Sequence, residues 1–530
     1  MTAWNRPLHR PAGSARIADW TKGARRTVFD SAGPEPGCTL RHCTEDPARS
    51  GGAAVNNTAS TDPAPRSRPA FVVAATHSSA GKTTVTAIVL RLLRERGLKV
   101  QAFKIGPDFI DPGYHREITG RPSINLDLWM MGVEGVRGSF SRWSAEADVC
   151  VIEAMGGLYD GENGTEKGSA AHIAKLLGLP VVVVMDVWGM TRTSGAVLGG
   201  LMAFDPEVRI AACVLNQVGS RTHAEMVLTA LPDQLRELVA GWVERSEHLR
   251  VDERHLGLTT VEENPTAAAE RAAAQVASGR TVDVDRLLAT TRTALPDPGE
   301  TSAHHPPRGT GPGASHVRLA VARDAAFCFY YEENLRALED AGFTLVPFRP
   351  TVDSQLPDGA DAVYLGGGYP ESFTAELAAN RSLAHELRAR AAHGMPVYAE
   401  CGGMMYLARS LTGFDGKAAA MTGILPIDVV MDRRYLAIHY VEVRTQAPSP
   451  LGEAGQRARG QEFHQSRITT AEIEPNLYEV TTSTGERRRA GFVLDNVAAS
   501  YIHLHFSMHP EIPRNFLSAA LRYAKKVPAV

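Results

Sequence analysis

The sequence predicts an α/β protein of two domains, each built on a parallel sheet covered by helices. Three observations carry this. At 530 residues the chain exceeds one ordinary hydrophobic core. Short Val/Ile/Leu-rich runs alternate with helical stretches in two separate blocks, as suits strands buried on both faces. Each block also holds a strand–glycine-turn–helix segment of the kind that presents a reactive group at a sheet's C-terminal edge. Hydrophobic residues make up 44% and charged residues 22%, the balance of a soluble globular chain. The formal net charge is −3 with no long basic run, which argues against nucleic acid or an anionic membrane as partner. Cys38, Cys43, Cys150, Cys213, Cys328 and Cys401 form no paired framework, so reduced thiols in a cytoplasm are expected. No apolar run reaches membrane-spanning length, and the N-terminus lacks the apolar core of a signal peptide.

Residues 1–68 are rich in Arg, Pro, Gly, Ser, Thr and Asp without periodicity, and predict a disordered extension. Cys38, His42 and Cys43 lack the second ligand pair of a metal site. The first domain, 69–262, has expected strands at Phe71–Ala75, Lys99–Ile105, Val149–Glu153, Val181–Met185 and Ile210–Leu215. A helix over Lys82–Arg96 should stop at Gly97. Residues 263–316 read as an alanine-rich helical piece and a Pro/Gly/His-rich linker. Strand–helix alternation resumes at Arg318–Ala322 and continues through Leu345–Pro347, Ala362–Leu365 and Pro396–Ala399 in the second domain, 317–530.

Thr76-His77-Ser78-Ser79-Ala80-Gly81-Lys82-Thr83-Thr84 follows the first strand directly and reads as a phosphate-binding loop. Backbone N–H groups at a helix N-terminus face an anion, and Lys82 adds a mobile charge for the outer phosphates of ATP or GTP. Thr83 or Thr84 supplies the hydroxyl that such loops place on Mg²⁺. Thr76 stands where the first glycine of the usual pattern would be. After the second strand, Asp108 and Asp111 can hold Mg²⁺ or orient a substrate, and a polar turn explains them equally well. Glu153 ends a buried strand before Gly156-Gly157 and can reach Mg²⁺ directly or through water. Asn216, also at a strand end, is either an adenine-reading amide or a turn residue. Cys150 and Cys213 lie inside apolar strands and read as structural thiols.

Ala399-Glu400-Cys401-Gly402-Gly403 has the layout of a nucleophile elbow. The helix N-terminus there should favour the Cys401 thiolate, and the glycines leave a backbone N–H for an oxyanion. Leu365-Gly366-Gly367-Gly368 offers a second set of free N–H groups. A thiol nucleophile needs a base. On a strand over Tyr501–Phe506, His503 and His505 would face one side together, and His509-Pro510-Glu511 competes for the role.

Together these segments resemble the cobyrinic acid a,c-diamide synthase family over about residues 69–515. The carriers are Ser-Ser-Ala-Gly-Lys-Thr-Thr at 78–84, Lys-Ile-Gly-Pro-Asp-Phe-Ile-Asp-Pro at 104–112 and Glu-Ala-Met-Gly-Gly-Leu-Tyr-Asp-Gly at 153–161. Val-Leu-Asn at 214–216, Glu-Arg-His-Leu-Gly-Leu at 253–258, Glu-Cys-Gly-Gly-Met-Met-Tyr at 400–406 and Ser-Tyr-Ile-His-Leu-His-Phe at 500–506 complete the set. Thr76 is usual in this family.

The resemblance implies an N-terminal P-loop synthetase domain, similar to dethiobiotin synthetase, followed by a class I-like glutamine amidotransferase domain. It implies ATP-dependent phosphorylation of the a and c acetate carboxylates of cobyrinic or hydrogenobyrinic acid, then amidation by ammonia from glutamine. Ser79, Ala80, Gly81, Lys82, Thr83, Thr84 and Asn216 would take ATP, with Thr83, Glu153 and Asp108 on Mg²⁺. Lys104, Asp108 and Asp111 would lie on the substrate side. Cys401 would be the nucleophile, Gly367 and Gly402 would serve the oxyanion and glutamine, and a Tyr-x-His pattern assigns the base to His503 with His505 in reserve. No third acid is implied.

The expected partners are thus a corrin polycarboxylate, glutamine and ATP, and a homodimer is compatible with the sequence. Cobyric acid synthase, a synthase acting on a nickel tetrapyrrole and a partitioning-type ATPase switch are the alternatives. The switch proteins carry a lysine where this chain has His77.

Overall fold

A computed structural model describes residues 67–249, 253–254, 257–258, 274–295 and 317–525. The expected disordered extension, apart from its last two residues, lies outside them. So do Cys38, His42 and Cys43, residues 255–256 of the Glu253–Leu258 motif, and the linker over 296–316.

The first domain carries β1 (Ser67–Ala75), α1 (Lys82–Glu95), β2 (Val100–Ile105), α2 (Ile110–Thr119), β3 (Ile124–Leu126), α3 (Leu128–Ser144), β4 (Val149–Glu153), β5 (Val181–Asp186), β6 (Ile210–Val218) and β7 (Val239–Glu244). The strands lie in the order β3-β2-β4-β1-β5-β6-β7, all parallel. In β1, Phe71, Val73 and Ala75 enter one apolar cluster, while Ala70, Val72 and Ala74 enter another on the opposite face. A strand buried on both faces has no polar side to display, which is why its sequence reads as an unbroken apolar run. Because β1 lies centrally and its neighbours β4 and β5 run parallel to it, the loop after β1 opens at the sheet's C-terminal edge beside the ends of β4 and β2.

Residues 274–295, read from sequence as part of the helical segment and linker, are built into this domain. A helix at Val284–Thr290 places Val284 and Leu287 in its core, and β8 (Arg292–Ala294) pairs antiparallel with the start of β1. Arg68 ties the other side of that start to the carbonyls of Ala145 (2.8 Å) and Ala147 (2.7 Å).

The second domain holds β9 (Val317–Ala322), β10 (Phe343–Phe348), β11 (Ala360–Leu365), β12 (Val397–Glu400) and the short helix α4 (Gly402–Leu407). A stretch of antiparallel strands follows, in which β13 (Ala437–Thr445) and β14 (Arg457–His464) are the longest pair. β15 (Phe492–Leu494), β16 (Val497–Ser500) and β17 (Ile502–Leu504) come last. The main sheet runs β10-β9-β11-β12-β16-β15, parallel except for its edge strand β15. β17 leaves that sheet and pairs with β14 in the antiparallel one. This antiparallel half was not foreseen. Its strands are partly exposed, and β13 mixes buried and open positions, so no continuous apolar run marks it.

The described parts of the two domains pack against each other within one compact unit. Tyr440 on β13 donates its hydroxyl to Asp127 at 2.5 Å, and Arg459 on β14 donates to the Trp129 carbonyl at 3.0 Å. Ser139 and Trp143 on α3 both donate to Glu333.

Candidate active sites

The phosphate loop is shaped by Gly81, whose φ of 87° favours glycine. A Cβ there would also lie 2.0 Å from Asn216 Nδ2. Asn216, at the end of β6, donates Nδ2–H to the Ala80 carbonyl at 2.9 Å and so braces the loop. Lys82 is buried at the helix start, and its pKa is lowered by burial and then by the nearby Lys104. A buried ammonium beside a second cation is a receptor for an anion, and the N–H groups opening α1 add to that field.

Thr83 donates its hydroxyl to Glu153 at 2.7 Å and, more weakly, to Asp111 at 3.4 Å. Lys104, at the end of β2, reaches Asp111 at 2.5 Å, Glu153 at 3.1 Å and Asp108 at 3.7 Å. Burial works against its charge, but the three carboxylates prevail and hold its pKa above the ordinary lysine value. For Glu153, burial raises the pKa and Lys104 with His115 more than reverses it, leaving the group ionised. For Asp111, burial followed by the Glu153 charge raises it. His115, which the sequence reading passed over, holds Glu153 Oε2 through Nε2 at 2.8 Å and Ser123 through Nδ1 at 3.0 Å.

A hydroxyl and carboxylates behind a phosphate loop are hard oxygen donors suited to Mg²⁺. Among the described residues no group of three His, Cys, Asp or Glu could by itself hold a metal.

Asp111 shares the Thr83 hydroxyl, whereas Asp108 accepts from the Ile110 N–H at 2.8 Å in the turn before α2. Lys104, expected on the substrate side, is buried inside the carboxylate network, because a buried ammonium stays charged only where carboxylates surround it. A cavity of about 310 Å³ lies beside this network, at the ends of β2, β3 and β4. Ser78, Trp129, Met155, Asp160, Lys167 and the second domain's Tyr440 are among its walls, and Lys104, Asp108 and Asp111 are not.

In the second domain, Cys401 has φ 47° and ψ −105°, a backbone strained for a non-glycine residue and the conformation expected of an elbow. Its N–H is fixed to the Ser500 carbonyl at 2.7 Å, and Sγ lies 3.8 Å from the Phe463 carbonyl. Glycines make the approach around it: a Cβ on Gly402 would sit 3.1 Å from Gly368 N, and one on Gly403 would collide with the Leu365 carbonyl. Gly367, expected as an oxyanion donor, spends its N–H on the Phe329 carbonyl at 3.3 Å. Its own role is steric, since a Cβ there would come 2.4 Å from His503 Cε1.

The expected thiolate is also revised. Burial, followed by the Glu371 carboxylate, pushes the Cys401 thiol up, and the Gly402 N–H only partly offsets this. Burial likewise pulls His503 down to about 3. Both shifts favour the neutral form, a thiol at Cys401 and an imidazole at His503.

His503 lies on β17, but His505 does not continue the strand. It caps the following turn, and its ring lies tilted against Tyr331 with centroids 5.0 Å apart. His503 instead packs on Gly367 and directs Nδ1 at Glu400 Oε2, 3.8 Å away. Glu400, immediately before the nucleophile, was not singled out by the sequence. It accepts from Tyr398 (2.5 Å), Tyr364 (2.8 Å) and the Leu504 N–H (3.0 Å). Burial raises its pKa to about 7 against those donors. Tyr501 stacks face to face on His464 at 3.6 Å, and His464 is held by Glu462 at 3.1 Å.

Residues 71–258 match the CobQ/CobB/MinD/ParA nucleotide binding domain, and residues 318–511 match the CobB/CobQ-like glutamine amidotransferase domain. A curated protein of Dehalococcoides mccartyi (strain ATCC BAA-2266 / KCTC 15142 / 195), cobyrinate a,c-diamide synthase, is 37% identical over 85% of this chain and 97% of its own length. Its namesakes in Caldanaerobacter subterraneus subsp. tengcongensis and Syntrophotalea carbinolica are 36% and 38% identical, over 99% and 98% of their lengths. The chain belongs to the cobyrinate a,c-diamide synthase family. The phosphate loop and its carboxylates fall within the matched nucleotide binding domain, and Cys401 and His503 fall within the matched amidotransferase domain. It sets the chain apart from the partitioning-type switch. Among the described residues no helix is long and apolar enough to cross a membrane.

Proposed function

We propose that this chain converts the a and c acetate carboxylates of cobyrinic or hydrogenobyrinic acid to amides, using ATP for activation and glutamine as nitrogen source. One observation carries the reading. A phosphate-loop network and a cysteine at a strained turn share one compact unit, in a chain that matches cobyrinate a,c-diamide synthases along nearly their whole length.

A carboxylate is a poor acyl donor at neutral pH because its leaving group is oxide. Attack of a substrate carboxylate oxygen on the γ-phosphorus releases ADP and leaves an acyl phosphate, whose phosphate departs readily. Lys82 and the α1 N–H groups hold the transferring phosphate, and Asn216, its Nδ2 spent on Ala80, keeps Oδ1 for the adenine edge. Thr83, Glu153 and Asp111 would hold Mg²⁺, with Asp108 beside them, and the ion when bound offsets the phosphate charge. The 310 Å³ cavity receives the acid side chain, with Lys167, paired to Glu162 at 2.8 Å, among its walls.

In the other domain, His503 takes the Cys401 proton as sulfur attacks the glutamine amide carbon. With Nδ1 directed at Glu400, Nε2 is the accepting nitrogen, and the carboxylate stabilises the imidazolium that forms. The N–H groups of Gly402 and Gly368 meet the oxyanion. Ammonia leaves with the proton from His503, water hydrolyses the thioester to glutamate, and ammonia displaces phosphate from the acyl phosphate.

Two variants test this. Cys401→Ser should abolish amidation from glutamine and retain it with added ammonium, whereas Lys82→Ala should abolish both. Loss of both activities in Cys401→Ser would remove the thiol from the glutaminase role, and undiminished turnover in Lys82→Ala would overturn the phosphate-loop assignment.

A further inference from the structure

The turn between β2 and α2 belongs to the first domain, yet its central side chain lies in the second. Phe109 stacks on Phe329 with ring centroids 5.1 Å apart and planes 9° from parallel, and lies 4.5 Å from the Tyr331 ring. Its third aromatic neighbour is His503, at 4.9 Å. The second domain also grips the turn's backbone, because the Pro107 carbonyl accepts from Gln461 at 3.2 Å and from Tyr331 at 3.4 Å. On either side of Phe109 stand Asp108, on Lys104, and Ile110-Asp111, with Asp111 on Lys104 and Thr83. One short segment therefore touches both the phosphate network and the ring proposed as the base for Cys401.

The His503 ring has few polar restraints. Its Nδ1 has no hydrogen-bond partner, and Glu400 stands 3.8 Å away. Its orientation is set by packing, between the glycine face of Gly367 and the ring of Phe109. Misplacing a catalytic group by roughly 1 Å costs about a hundredfold in rate.

We propose that Phe109 is a positioning residue that couples the two chemistries, holding His503 in its proton-accepting stance from a turn whose carboxylates answer to nucleotide and acid binding. The proposal rests on the functional reading given above. It concerns timing: glutamine is cleaved when the Asp108–Asp111 turn is engaged, so ammonia forms when an activated carboxylate awaits it.

The test uses the full chain as wild type, Phe109→Ala, Phe109→Leu and Phe109→Tyr. Glutamate release and amide formation are measured together, with glutamine alone and with glutamine, MgATP and cobyrinic acid. Wild type should release glutamate faster when MgATP and the acid are added, at a near-equal ratio of glutamate to amide. Phe109→Ala and Phe109→Leu should lose that stimulation by at least about tenfold and keep ammonium-driven amidation within about twofold. Phe109→Tyr, which retains the ring, should restore the coupling.

A second readout does not depend on turnover. Alkylation of Cys401 by iodoacetamide should respond to MgATP plus acid in wild type and not in the Leu variant. Stimulated release and an unchanged ratio in Phe109→Leu would overturn the proposal, as would a wild type whose glutaminase ignores both ligands. Failure of wild type to amidate even with ammonium would instead refute the functional reading itself.

Discussion

Glu400→Gln should separate the two half-reactions and report on the charge behind His503. The substitution keeps side-chain shape and, with its carbonyl oxygen at the Oε1 position, still accepts from Tyr398 and the Leu504 N–H, while it gives up the acceptor facing Tyr364 and the negative charge. That charge matters only once His503 has taken the thiol proton, when an imidazolium stands 3.8 Å from Glu400 Oε2. Coulomb's law gives about 4 kcal/mol for unit charges at that separation, with an effective dielectric constant of about 20. Since each ~1.4 kcal/mol is about tenfold in rate, and relaxation absorbs part of the attraction, we expect kcat for glutamine to fall by about 10²–10³.

The pH profile sharpens the test. Burial pushes the Glu400 carboxyl up to about 7, and the useful form is the ionised one. Glutamine-dependent activity should therefore rise as pH increases through about 7, and the variant should lack that inflection. The assay is glutamate release across pH, with amidation from ammonium compared at constant free NH₃. A variant that retains wild-type kcat and the same inflection would refute a charge role for Glu400.

Other substitutions probe the neighbouring geometry. Gly367→Ala places a methyl 2.4 Å from His503 Cε1 and should lower glutamine-dependent turnover by about a hundredfold, leaving the ammonium-driven rate intact; equal loss in both assays would contradict the steric reading. Tyr440→Phe leaves Asp127 without its interdomain donor at the cavity wall. It should cost about 1–3 kcal/mol in denaturant unfolding and raise KM for the acid substrate; an unchanged KM would dissociate the cavity from substrate binding.

The parts legible in the sequence were those fixed by local or strictly periodic physics. Phe71–Ala75 and Val149–Glu153 declare themselves because both of their faces are buried. Gly81-Lys82-Thr83 and Cys401-Gly402-Gly403 declare themselves because a helix N-terminus after a strand demands particular backbone freedom. What stayed hidden depends on distant contacts. The strand β13 offers no clean pattern to read, since its burial is decided by β14 and by the first domain. His115 and Glu400 become informative only when the fold brings Glu153 to one and His503 to the other. The expected thiolate failed for the same reason: a helix N-terminus is visible locally, whereas burial and the Glu371 carboxylate that outweigh it are not. His505 shared a face with His503 only as long as the strand continued, and β17 ends at Leu504.

The most direct test of the central claim is mass spectrometry of the product from cobyrinic and hydrogenobyrinic acid supplied with MgATP and glutamine, run in parallel with [amide-¹⁵N]glutamine. The account predicts two successive OH-to-NH₂ exchanges, each carrying one ¹⁵N from the labelled donor, and neither in Cys401→Ser unless ammonium is added. An unaltered acid, or a diamide whose nitrogen does not come from glutamine, would contradict it.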